Sequence, residues 1–198
     1  MLALLNKGVW LLEPVKLGGV EKEILTLLAK NKGGLKLKQI LMILKKEHFS
    51  YVSRPLNTLI EKGLVSELSK DQPRGRGRPA RTFGVTTAGV GRYIHETDDF
   101  SVLGVQRGLD PLIAKLHDFY EALEGYKKRD EIMRGLISVS LMMVKSGLDV
   151  DDVINMGGAW MERRLSKLPN KYKKRVLAVS NGKLLKRVRR EFKRQIEA

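Results

Sequence analysis

One run, residues 50–90, restricts the fold more than any other part of the chain. Val52, Leu56, Leu59 and Ile60 recur at helical spacing and stop at Gly63. A glycine there suits the left-handed position just past a helix end, with Leu64 placed to fold back on the last turn. Residues 64–68 and 81–85 are short β-prone runs that bracket Pro73-Arg74-Gly75-Arg76-Gly77-Arg78-Pro79-Ala80, a hairpin signal with a long tip. Thr86 or Thr87 then offers an N-cap for a helix through Val90, Tyr93 and Ile94. Gly84, Gly89 and Gly91 weigh against that helix, because a glycine in a helix interior costs about 1 kcal/mol.

Upstream, Val20, Ile24, Leu27 and Leu28 predict a helix over 20–31 ended by Gly33-Gly34, and Leu37, Ile40, Leu41 and Leu44 a second over 37–47. In the third helix Pro55 would remove a hydrogen bond at about 3 kcal/mol, so the regular helix is expected to begin near Ser53 with Pro55 in its first turn. Residues 97–109 have no clear period and contain Asp98-Asp99; they are expected to be a linker. Asp110-Pro111 is a strong helix start, followed by Leu112, Ile113, Leu116, Phe119, Tyr120 and Leu123 and a stop at Gly125. Asp130 opens a helix whose broad apolar face (Ile132, Met133, Leu136, Ile137, Met143, Val144) suits the centre of a bundle or a surface shared with a second subunit. Asp149 caps a further helix carrying Val153, Ile154, Trp160, Met161 and Leu165, and two basic helical stretches follow Pro169. The organisation expected is therefore an extension over 1–19, a module over 20–96, a linker over 97–109, a helical and dimerising region over 110–168, and a basic tail over 169–198.

Charge points to the partner. The chain of 198 residues carries 38 Lys and Arg against 22 Asp and Glu, a net +16. The excess is segregated: +9 over 1–97, −5 over 98–162 and +12 over 163–198. Such a balance speaks to partners and solubility rather than to fold. With no cysteine, disulfides, thiolate metal sites and cysteine nucleophiles are excluded. The first residues are apolar but lack a basic n-region and a clear cleavage site, and no run approaches the roughly 18 apolar residues of a membrane span. A cytoplasmic, nucleoid-associated protein without a membrane partner is expected.

The parts assembled so far, three helices, a hairpin and a capping helix, resemble the winged helix-turn-helix transcriptional regulators of bacteria and archaea, with the PadR-like branch as the nearest match. The resemblance rests on Val52-Ser53-Arg54-Pro55-Leu56-Asn57-Thr58-Leu59-Ile60-Glu61-Lys62-Gly63-Leu64-Val65 and on Gly77-Arg78-Pro79-Ala80-Arg81-Thr82-Phe83-Gly84-Val85-Thr86. It covers about two-fifths of the chain and implies a mainly α fold: an N-terminal winged helix followed by a helical C-terminal region. Arg76-Gly77-Arg78-Pro79 also resembles the core of the AT-hook, a minor-groove peptide; a narrow A·T groove attracts inserted arginines and glycine permits close approach.

The candidate contacts follow from the residues. With Val52, Leu56 and Leu59 inward, Ser53, Arg54, Asn57 and Thr58 lie on or near the opposite face; Arg54 matches guanine and Asn57 adenine in bidentate pairing. The same polar residues also suit a face that only meets solvent. Arg74, Arg76, Arg78 and Arg81 are the wing contacts. Lys36, Lys38 and Gln39 at the start of the second helix suit phosphate, or equally an ordinary solvated helix end. Lys186, Arg187, Arg189, Arg190, Lys193 and Arg194 surround Leu184, Leu185, Val188, Phe192 and Ile196, which fits a helix lying on nucleic acid, one docking on an acidic partner segment, or one lying on a membrane surface.

No catalytic role is expected. His48, His95 and His117 show no metal spacing, Asp149, Asp151 and Asp152 read as a helix cap with dipole-favoured charges, and no phosphate-cradling loop is present. Tyr120, Trp160 and the methionines suit core packing better than an effector pocket. No cofactor or metal is implied, and the effector, if any, is left open. Double-stranded DNA is the expected partner of a homodimer formed through residues 110–168, with transcriptional regulation as the expected function. The alternative is an architectural or replication and segregation protein of a plasmid, virus or archaeal chromosome.

Overall fold

A computed structural model describes residues 16–70, 80–145 and 167–179. In chain order these form α1 (Gly19–Ala29), β1 (Leu35–Lys36), α2 (Leu37–Ile43), α3 (Ser50–Glu61), β2 (Val65–Lys70), β3 (Arg81–Val85), α4 (Thr87–Thr97), α5 (Val102–Val105), α6 (Pro111–Ala122), α7 (Arg129–Lys145) and α8 (Asn170–Val179). The described residues are mainly helical, with one small antiparallel sheet in the order β1-β3-β2. The ladder runs from Val65 opposite Val85 to Lys70 opposite Arg81, and Leu35 and Lys36 pair with Phe83 and Thr82. A register shift between Glu67 and Ser69 makes Leu68 an extra residue in β2, a bulge that bends the hairpin.

Helix ends explain most of the local geometry. α3 closes as its sequence predicts: Gly63 takes φ 69, its amide donates to the Ile60 carbonyl, and the Leu64 amide donates to that of Leu59. These are the paired bonds of a left-handed helix stop, and they turn buried Leu64 into the core. α2 uses the same closure without a glycine. Lys45 takes the left-handed φ of 50, and the amides of Lys45 and Lys46 donate to Met42 and Leu41, so the helix stops at Ile43 rather than reaching 47.

The start of α3 corrects the expectation of a helix beginning near Ser53. The amides of Tyr51, Val52 and Ser53 donate to the carbonyls of His48 and Phe49 at 2.9–3.2 Å, which starts the helix at Ser50 and leaves Pro55 inside it. The cost falls on one bond: Pro55 has no N–H to offer the Tyr51 carbonyl.

α4 also forms despite its glycines. The Thr86 hydroxyl accepts from the Gly89 amide (3.1 Å) and donates to the Gly63 carbonyl (2.7 Å), while the Thr86 amide donates to the Leu64 carbonyl (3.1 Å). One threonine thus caps α4 and pins it to the corner between α3 and β2. A Cβ at Gly89 would lie 2.0 Å from the Leu64 carbonyl oxygen, so only glycine permits this approach.

The segment 97–109, expected to be a linker, is packed. Phe100, Val102, Leu103 and Gln106 are buried, and α5 occupies its middle. One apolar cluster runs without a break from Ile24 on α1 through Ile94 on α4 and Leu116 on α6 to Val176 on α8. α6 starts as expected, with Asp110 accepting from the amides of Leu112 (2.7 Å) and Ile113 (3.0 Å). The face of α7 formed by Ile132, Met133, Leu136 and Ile137 is buried within the chain itself. The expected helix around Trp160, the last basic stretch and residues 1–15 lie outside the described residues. Among the described residues no helix is long and apolar enough to cross a membrane.

Candidate nucleic-acid interface

α3 is amphipathic in the sense its sequence predicts. Val52, Leu56 and Leu59 are buried, while Arg54 and Asn57 are exposed one turn apart. Tyr51 and Glu61 extend the same outer face, because residues three and four apart are neighbours on a helix. Ser53 and Thr58 are half-buried at its margins. The Thr58 hydroxyl donates to the Arg54 carbonyl (3.2 Å), which bends it back on its own helix. The helix is held from behind by Lys62, whose ammonium donates to the Glu21 carboxylate on α1 (2.8 Å) and to the Lys16 carbonyl (3.2 Å). Burial pushes the Glu21 pKa up, but Lys62 and the Gly18 amide together outweigh it and hold the carboxyl below its ordinary value.

α2 lies before α3 in the chain and packs on it. Lys36, Lys38 and Gln39 are exposed at its start. Gln39 is already engaged there, accepting from the Lys36 amide through Oε1 (2.8 Å), so it serves first as a helix cap.

The hairpin begins where α3 ends. Arg74, Arg76 and Arg78 lie outside the described residues, but the strands that carry them in and out are described. Of the four wing arginines expected to contact DNA, Arg81 is the one the structure describes. It donates to Glu67 across the ladder through Nε (2.8 Å) and Nη2, and its guanidinium lies 5.1 Å from the centre of the Phe83 ring. The Glu67 carboxylate raises the Arg81 pKa further above the usual arginine value. Arg81 therefore braces the base of the hairpin.

The expected tail contacts, Lys186, Arg187, Arg189, Arg190, Lys193 and Arg194, also lie outside the described residues. The first stretch after Pro169 is described, as α8, and it packs on α6. Arg175 donates to the Glu121 (2.9 Å) and Glu124 (3.0 Å) carbonyls at the end of α6, and the Tyr126 and Tyr172 rings meet at 5.2 Å. These interactions make α8 part of the body.

What the sequence pattern missed is an apolar corner. Met42 and Ile43 at the end of α2, with Phe49 and Tyr51 at the start of α3, are the large exposed hydrophobic residues beside this face. Phe49 precedes the first helical turn, so helical spacing gave it no face. The described histidines and carboxylates form no group able to hold a metal ion. Between α4, α6 and α7 the core leaves a mainly apolar seam too narrow for water, lined by Gly91, Ile113 and Ile137 with Thr87 and Ser140 among others.

Comparison of the chain with family models, curated proteins and solved structures found no match.

Proposed function

We propose that residues 20–96 are a winged helix-turn-helix and that the chain binds double-stranded DNA as a transcriptional regulator. The observation that carries the proposal is the placement of exposed Arg54 and Asn57 on the outer face of a helix that leads directly into a hairpin with an arginine-glycine tip. Side chains of this kind on a helix narrow enough for the major groove read base edges, and a hairpin beside it grips the adjacent backbone or minor groove. The strand order β1-β3-β2, with α1, β1, α2 and α3 preceding the hairpin in sequence, supports the winged-helix assignment. The segregated positive charge supplies the sequence-independent attraction that phosphate binding needs.

The test is selection of bound sequences from random duplex DNA, followed by titration of the winner against scrambled duplex at near-physiological salt. A preference of about 10³ or more is expected of a regulator. Arg54→Ala or Asn57→Ala should then cost about 1–3 kcal/mol on the selected site and relax the preference at one position. A second reading, an architectural or replication and segregation protein, is favoured by the +12 carried by residues 163–198. Equal binding to every duplex with a steep salt dependence would select it. Absence of duplex binding would remove both.

A further inference from the structure

We infer that the apolar corner between α2 and α3 reads thymine methyl groups, with Tyr51 and Phe49 touching them. The inference rests on the double-stranded DNA reading above and names what that site selects. Met42, Ile43, Phe49 and Tyr51 are 67%, 52%, 61% and 58% exposed, all between the end of α2 and the first turn of α3, and large apolar side chains left exposed along one short stretch mark a contact surface. The stretch runs into the leading end of α3, the end of a helix-turn-helix that meets base edges. Tyr51 is three residues before Arg54, so its ring lies one turn ahead of the side chain assigned to guanine. The His48 ring packs beside it at 5.6 Å, which limits where the tyrosine points.

Charge decides the occupant. Residues 36–58 carry five Lys and Arg against a single Glu. A second copy of the same face would bring like charges together, whereas a duplex brings phosphates to the cations. In the major groove the apolar group that a duplex presents is the thymine C5-methyl, and A·T pairs are told from G·C there by touching it. Guanine through Arg54 and thymine through Tyr51 would make the expected site one of mixed composition, with a thymine next to the guanine that Arg54 reads.

The experiment compares the selected duplex with the same duplex in which deoxyuridine replaces thymidine, either within the motif or only in its flanks. Uracil lacks the methyl and keeps every hydrogen-bonding group. Replacement within the motif should weaken the full-length protein about fourfold for each methyl touched, and replacement in the flanks should change nothing. Tyr51→Ser and Phe49→Ser should each reduce the thymidine preference and the double variant should bind both duplexes alike, while Arg54→Ala should weaken both and keep their ratio. Equal binding of thymidine and deoxyuridine motifs by the wild type would overturn the inference and leave DNA binding intact. Failure to bind any duplex would overturn both. A variant that keeps the thymidine preference but changes the oligomeric state without DNA would assign the corner to a second copy and overturn the inference.

Discussion

Gln106 joins two parts of the chain that a residue-by-residue scan keeps apart. Its side-chain amide donates to the carbonyls of Ala29 (2.7 Å), Asn31 (3.2 Å) and Leu28 (3.3 Å), closing the end of α1 from a position 77 residues downstream of Ala29. The Ala29 carbonyl is one of those that a helix end leaves without an internal partner, and Gln106 is buried. Gln106→Ala should cost about 1–3 kcal/mol in chemical denaturation, the penalty for stranding buried acceptors. Gln106→Glu should cost at least as much, because a carboxylate would face carbonyl oxygens. Nothing in the sequence announces this residue, since a single polar side chain in an aperiodic stretch carries no pattern. Asp99 is a second such case. It accepts from the Ser101 hydroxyl (2.5 Å) and the Tyr93 hydroxyl (2.7 Å), with Lys30 at 3.5 Å. The Ser101 and Tyr93 hydroxyls, outweighing burial, hold its pKa below the ordinary value. A depressed folded-state pKa gives stability that is present above the unfolded value, about 3.9, and is lost as pH falls through the folded one. Asp99→Asn should therefore flatten the loss of stability on acidification below that value, measured as unfolding midpoints against pH.

Elements were legible where their ends carried a glycine, a capping residue or a proline, and obscure where the backbone closed itself. Gly63 and Asp110 mark real boundaries, and the period of Val52, Leu56 and Leu59 placed Arg54 and Asn57 outward. α2 ends on a left-handed lysine, and α3 begins a turn ahead of Pro55 on carbonyls of the preceding loop; neither leaves a compositional trace. For the same reason Phe49 and Tyr51 were not placed on the outer surface. β1 has two residues, too few for alternation to appear, and it exists because β3 offers it an edge. α4 is the clearest conflict between propensity and packing. By propensity Gly89→Ala should stabilise it by about 1 kcal/mol. The Leu64 carbonyl oxygen, 2.0 Å from where the new Cβ would sit, is backbone and cannot step aside cheaply. Gly89→Ala should therefore destabilise the protein by about 1–3 kcal/mol, the range of an overpacked core. Thermal unfolding of the variant gives the sign directly, and a rise in midpoint would mean that α4 can move away from the corner.

At the scale of the whole molecule, charge and structure divide the C-terminal basic segment at different places. Composition makes 169–198 one tail. The structure assigns 170–179 to the body: Val176 is fully buried, Arg175 closes the end of α6, and the Tyr172 hydroxyl lies over Gly125. The sequence separates two basic stretches but could not say that the first joins the body, because Lys171, Lys173, Lys174 and Arg175 look the same in a charge count as Lys186 to Arg194. Their work is nevertheless different, since the stem of a long cation covers apolar surface while its head reaches carbonyls. Two truncations separate the halves. Removing 170–198 strips Val176 and the Arg175 bonds from α6 and should lower the unfolding midpoint with or without DNA. Removing 180–198 takes away seven Lys and Arg and keeps the whole of α8 in the chain, and should lower the midpoint less than the longer truncation does. If the proposed DNA binding holds, the shorter truncation should weaken selected and scrambled duplexes alike. It should also flatten the dependence of log K on log salt by about 0.9 for each phosphate that the protein no longer neutralises. An unchanged slope would take residues 180–198 off the DNA and leave binding to the helix face and the hairpin.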